Sequence, residues 1–255
     1  MAQPYRGRRH DQQIGCPLAR QDRVTGVSAP TLYIFPHAGG SASFYVPFAR
    51  TFTSGVKRIA VQYPGKNGTH DLASFRGIPE LADTVVSKLP ADPDARIALF
   101  GHSMGALVAF ETARILEAAG RRVEALFVSA CAAPGRSGYD YIPESDRGLL
   151  DAVSEMTGVD PALLESEEFQ ARILPTLRGF KAITAYQCPP DATLSCPIHV
   201  YYADDDEVAT TEKVSPWQER TTAEFTMREF AGHHFYLTDN LSEVVADIEQ
   251  KLPVT

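Results

Sequence analysis

The chain has no run of 18 apolar residues, about the least that crosses a bilayer as a helix, so no membrane span is expected. It is poor in cysteine. Cys16, Cys131, Cys188 and Cys196 form no C-x-x-C pair and have no histidine at ligand spacing, which argues against a disulfide framework or a metal site. It also lacks a basic excess: 24 Lys and Arg against 32 Asp and Glu give a net charge of −8. That balance disfavours non-specific binding to nucleic acid or to an anionic membrane. Residues 1–28 lack the apolar core of a secretory signal and carry Arg6, Arg8, Arg9, Arg20 and Arg23 among polar neighbours. They read as a disordered polar tail, and the protein as cytoplasmic. No internal repeat or low-complexity segment is evident.

What is present is enough apolar material for one large core, 44% of 255 residues, and one domain over 29–255 is expected. From Thr31 onward, short β-branched and aromatic runs alternate with helical patterns, as in a mostly parallel sheet covered on both faces. Strands are predicted at 31–36, 57–63, 96–101, 125–131, 197–203 and 225–230. Helices are predicted at 42–53, 77–89, 104–119, 211–220 and 241–252.

Between the third strand and the third helix stands Gly101-His102-Ser103-Met104-Gly105. A bare G-x-S-x-G is weak, since roughly one random chain in ten of this length contains it at average composition. Its place at a strand-to-helix turn gives it meaning, because such an elbow exposes a serine hydroxyl beside the free N–H groups of a helix start. Ser103 is the candidate nucleophile.

Two further strand ends supply an acid and a histidine. Ile198–Tyr202 leads into Ala203-Asp204-Asp205-Asp206-Glu207-Val208, and Phe225–Phe230 leads into Gly232-His233-His234-Phe235. Serine, acid, histidine is the chain order of α/β-hydrolase triads. The spacing small-x-x-Asp-x-hydrophobic selects Asp206 and leaves Asp204 and Asp205 as solvated loop acids. A Gly-x-His-Phe reading selects His234 over His233. Near the start, Pro36-His37-Ala38-Gly39-Gly40 is a glycine-rich turn after a strand, suited to supply an oxyanion N–H. The oxyanion donors would be the backbone amides of Ala38 and Met104. His37 could orient this loop, and His102 reads as packed beneath the elbow.

The segment from about 134 to 190 interrupts the alternation. Leu149, Leu150, Val153 and Met156, then Phe169, Ile173, Leu177, Phe180 and Ile183, recur at helical spacing. A helical lid insertion over the strand ends is expected.

Phe35-Pro36-His37-Ala38-Gly39-Gly40, Tyr63-Pro64-Gly65, Gly101-His102-Ser103-Met104-Gly105-Ala106 and Gly232-His233-His234-Phe235-Tyr236 together resemble the type II thioesterases. These are the discrete α/β-hydrolases that accompany polyketide synthases and non-ribosomal peptide synthetases. The likeness runs from about Thr31 to the C-terminus, and the wording is nearest to actinobacterial members, mycobacterial ones included. It implies hydrolysis of acyl groups from the phosphopantetheine arm of a carrier protein, in editing or product release. It also implies Ser103 as nucleophile, Asp206 as orienting acid and His234 as base, with no cofactor and no metal. The partner would be an acyl or peptidyl carrier domain, and a monomer is expected. The chain departs from the family at Arg178-Gly179-Phe180, where many members have Arg-Ala-Asp. The same triad would also serve an esterase or lipase on oxygen esters, or an acyltransferase. A fold without catalysis could bind carrier proteins.

Overall fold

The computed structural model describes residues 29–63, 77–136, 145–157, 160–177 and 186–252. Six strands form one parallel sheet in the order β2-β1-β3-β4-β5-β6. They are β1 Thr31–Phe35, β2 Lys57–Ala60, β3 Ile97–His102, β4 Val123–Ser129, β5 Ile198–Ala203 and β6 Phe225–Phe230. β3 and β5 are buried along their whole length, as strands covered on both faces must be, and their sequences are correspondingly apolar. β2 and β6, at the sheet edges, are largely half-exposed.

Side chains of a strand alternate between faces, and that alternation divides the core in two. Tyr33, Phe35 and Leu99 join the cluster under α2 (Ile78–Val86) and α3 (Met104–Ala118), together with Phe110 and Trp217. Leu32, Ile34, Phe100 and Phe127 join the cluster on the other face. There they meet Phe48 of α1 (Val46–Thr51) and Val244, Val245 and Ile248 of the last helix, Leu241–Lys251.

The predicted elements are found, with shifted ends that have local causes. The helix expected over 42–53 opens as a 3-10 turn, Ala42–Tyr45, and becomes α-helical only at Val46–Thr51. Pro47 lies in that first α-turn, where a missing N–H costs nothing. The helix expected over 211–220 is α-helical for Thr211–Val214 and 3-10 for Ser215–Arg220. Pro216 cannot donate, so the α-ladder does not continue through it. β4 ends at Ser129, two residues before the predicted end, because Ala130 turns to φ 48°.

Between β4 and β5 lie α4 (Asp146–Thr157), α5 (Pro161–Leu164) and α6 (Glu167–Leu177). Leu149, Leu150 and Leu164 are buried in the α2/α3-side cluster, with Phe169, Ile173 and Leu174 packed against it. The helical periodicity read in this segment therefore faces the main core. Phe180, Ile183, Arg178-Gly179-Phe180, Pro64-Gly65 and the 1–28 tail lie outside the described residues, as do the side chains of Val153, Met156 and Leu177. Among the described residues no helix is long and apolar enough to cross a membrane.

Candidate active site

The elbow is built by close backbone approach. Ser103 stands between β3 and α3 with φ 55° and ψ −127°, a sparsely populated positive-φ conformation that costs an L-residue about 1–3 kcal/mol. The turn closes only because its flanks lack side chains. A Cβ on Gly105 would lie 2.1 Å from the Phe35 carbonyl oxygen, and one on Gly101 would lie 2.3 Å from the Gly105 oxygen. Contact between Gly105 and the end of β1 sets the start of α3 beside the Pro36–Gly40 loop. The side chains of Ala38 and Met104 are both buried. The Ser103 amide donates to the Ser129 carbonyl at 2.8 Å, and the Ser103 carbonyl accepts from the Ala106 amide at 2.9 Å.

β5 and β6 deliver the acid and the histidine. The two turns beyond them are laced together: Asp204 N–H donates to the Phe230 carbonyl and Asp205 N–H to the Gly232 carbonyl. Asp206 then points inward, 4% exposed. Its Oδ1 accepts from the Val208 amide at 3.0 Å, and its Oδ2 accepts from His234 Nδ1 at 2.8 Å. The preferred spacing has its cause here. Val208 is buried, and anchoring it brings its N–H onto the Asp206 carboxylate.

The neighbours that spacing set aside are placed differently. His233 pairs with Asp205 at 2.8 Å, but both side chains are mostly exposed, at 76% and 69%. Asp204 is exposed, yet it is not merely solvated as expected: its Oδ1 accepts from the Gly232 amide at 2.9 Å. It therefore anchors the histidine loop.

Three imidazoles gather here. The His102 ring centroid lies 5.4 Å from that of His234 and 6.0 Å from that of His37, and Phe235 contacts all three. Burial pushes His37 down to about 4, helped by the nearby His234 charge. Burial also holds His102 well below the ordinary histidine value, with His234 and His37 adding to the effect. Both are neutral near pH 7, so neither opposes a positive charge on His234.

His37 is held by the Tyr45 hydroxyl. Its backbone N–H donates to the Tyr45 hydroxyl at 3.3 Å, and that hydroxyl lies 2.8 Å from His37 Nδ1. Burial raises the Tyr45 pKa, so the phenol stays neutral and meets both the backbone and the ring of His37. His37 thus orients the glycine-rich loop through Tyr45. Tyr63, whose hydroxyl donates to the Pro36 carbonyl at 2.9 Å, fastens the first residue of the same loop.

Sequence reasoning missed Tyr45, Ser129 and Tyr236. Their hydroxyls meet partners that only the fold brings close. Among the described residues, no group of three or more His, Cys, Asp or Glu side chains could hold a metal ion.

A parallel sheet with a serine elbow after β3, and a buried acid–histidine pair after β5 and β6, defines the α/β-hydrolase class. The thioesterase-domain family model matches residues 30–252, and the chain belongs to that family. Thioesterase TesA of Mycobacterium leprae is 52% identical over 227 residues, 88% of this chain and 87% of that protein. Thioesterase PikA5 of Streptomyces venezuelae is 38% identical over 89% of this chain and 83% of its own length. Among solved structures, the type II thioesterase BorB from the borrelidin biosynthetic cluster superposes with a TM-score of 0.74 at 37% identity. That match covers 89% of this chain and 94% of the other. The protein is a thioester hydrolase of the type II class.

Proposed function

We propose that this enzyme hydrolyses acyl thioesters held on the phosphopantetheine arms of carrier proteins, by a serine acyl-enzyme mechanism. The observation that carries the reading is the buried 2.8 Å bond between His234 Nδ1 and Asp206 Oδ2, set beside the strained Ser103 elbow. With Nδ1–H committed to the carboxylate, Nε2 is the ring nitrogen that can take a proton. Ser103 Oγ attacks the thioester carbonyl while His234 accepts its proton. The carbonyl oxygen becomes an oxyanion between the amides of Ala38 and Met104. Collapse breaks the C–S bond, and the carrier thiol leaves with the proton from His234. Water, deprotonated by His234, then attacks the Ser103 ester; as the acyl–oxygen bond breaks, His234 returns that proton to Ser103 Oγ and the free acid departs.

A thioester suits this site because its carbonyl is weakly resonance-stabilised and its thiolate leaves readily. The helices Asp146–Thr157, Pro161–Leu164 and Glu167–Leu177 serve as a lid that holds the acyl chain and limits water. A related solved structure supports the substrate class: YbtT, 28% identical with a TM-score of 0.79, is a type II thioesterase from the yersiniabactin non-ribosomal peptide and polyketide biosynthetic pathway. We place the enzyme in the compartment where carrier proteins are loaded, the cytoplasm. The net charge of −8 gives no long-range attraction to an acidic carrier protein, so docking rests on a local patch.

Steady-state rates on matched acyl thioesters and oxygen esters test the reading. A clear thioester preference in kcat/KM, lost in Ser103→Ala, is the expected result. A preference for the oxygen ester would assign the triad to an esterase.

A further inference from the structure

At the end of β4, one side chain touches both halves of the site without belonging to the triad. Ser129 is fully buried, and its backbone carbonyl accepts the Ser103 amide at 2.8 Å. Its hydroxyl bonds to His102 Nδ1 at 2.9 Å on one side and to the Tyr236 hydroxyl at 2.8 Å on the other. His102 is the residue before Ser103, and Tyr236 lies two residues beyond His234. The β3–β4 register, which pairs His102 with Ser129, is what creates these contacts.

We propose, on the basis of the Ser103–His234 reading above, that Ser129 is a positioning residue that ties the nucleophile elbow to the loop carrying the base. Its carbonyl fixes the Ser103 backbone. Its hydroxyl closes a buried chain, His102–Ser129–Tyr236, that sets the two loops against each other. A second, independent observation marks the same spot. The described non-glycine residues with positive φ are Ser103 and Ala130, the elbow serine and the residue after Ser129. Strained backbone persists where the surrounding structure over-determines it, and it concentrates at functional sites. The Ala130 amide is held by the Tyr201 carbonyl at 2.9 Å, so the kink that ends β4 is itself tied to β5.

The hydroxyl chain is also poorly replaceable. His102 Nε2 is buried with no hydrogen-bond partner among the described residues. Nδ1 therefore carries the ring's only polar restraint, and removing the Ser129 hydroxyl releases an imidazole lying 5.4 Å, ring to ring, from His234. Tyr236 stacks on Phe230 at 5.2 Å. Loss of its hydroxyl leaves that packing in place and cuts only the hydrogen bond.

The test compares Ser129→Ala, Tyr236→Phe, their double variant and Ser103→Ala on a short-chain acyl thioester. Rates of the Ser129 and Tyr236 variants are normalised to active sites titrated with a serine-reactive fluorophosphonate, and that of Ser103→Ala to folded protein, well below each variant's melting temperature. A positioning role predicts that kcat per active site falls about tenfold in each single variant, on the order of one hydrogen bond, while KM stays within twofold. The double variant falls little further, because both substitutions cut one chain. Ser129→Thr, which keeps the hydroxyl, recovers most of the rate. A purely structural role predicts a lower melting temperature with kcat per titrated site unchanged, and that result overturns the proposal. Multiplicative losses in the double variant overturn it as well. If Ser129→Ala does not fold, Tyr236→Phe decides alone by the same criteria. Hydrolysis surviving in Ser103→Ala would instead overturn the catalytic reading on which this role rests.

Discussion

His234 Nδ1 and Asp206 Oδ2 meet at 2.8 Å with side chains only 5% and 2% exposed, while one position earlier on each loop His233 and Asp205 meet at the same distance in the open. Geometry is duplicated; burial is not. A solvated pair is screened and contributes little, whereas an enclosed carboxylate fixes one tautomer and supports an imidazolium as it forms.

Asp206→Asn therefore lowers kcat by about 10³–10⁴-fold, the scale of a lost triad acid. Asp205→Asn leaves kcat within about twofold, since its partner is mostly exposed. Equal losses in the two variants, measured by steady-state hydrolysis, would contradict this assignment of the acid.

His234→Ala abolishes acylation of Ser103 by a serine-reactive probe, and His233→Ala leaves it intact. Gel detection of the labelled enzyme checks both. The reverse pattern would move the base to His233.

Gly105→Ala cannot be accommodated by side-chain motion, because the atom met at 2.1 Å is the backbone oxygen of Phe35. We expect a loss of about 3 kcal/mol or more in folding stability, read by denaturant titration, or no folded protein at all. A stable Gly105→Ala variant would show that β1 and α3 can part without unfolding, which the core packing denies.

His199 gives a pH test separate from catalysis. It is buried in β5, hydrogen-bonded through Nδ1 to Thr226 Oγ1 at 2.8 Å. Burial lowers its pKa from 6.5 to about 4, Lys251 adds to the fall and Asp247 opposes it. The folded state thus prefers the neutral ring. That contribution is complete above pH 6.5 and is lost as pH falls toward 4, by about 3 kcal/mol at most. Unfolding free energies between pH 7.5 and 4.5 should fall less steeply in His199→Asn than in the wild type. Parallel slopes would contradict the depressed value.

Much of this was legible in the sequence for physical reasons. The apolar runs at 31–36 and 96–101 read as strands because both sheet faces are covered, and the elbow announced itself because only glycine permits the approach of Gly105 to β1. Asp206 could be chosen among three aspartates because burial of Val208 fixes its amide on that carboxylate. The contributions of Tyr45, Ser129 and Tyr236 were not legible. They arise from sheet register and loop packing between positions far apart in the chain, such as Ser129 and Tyr236. The end of β4 was misplaced because alanine gives no warning of a positive φ. By contrast, Pro47 and Pro216 could have located the two changes from 3-10 to α geometry and back.

The most direct test is intact mass spectrometry of a carrier protein loaded with several acyl groups, before and after incubation with the wild-type enzyme or Ser103→Ala. The account predicts loss of acyl mass, leaving the free phosphopantetheine thiol, with the wild type alone. Acyl groups left in place by an enzyme that still cleaves simple esters would contradict it.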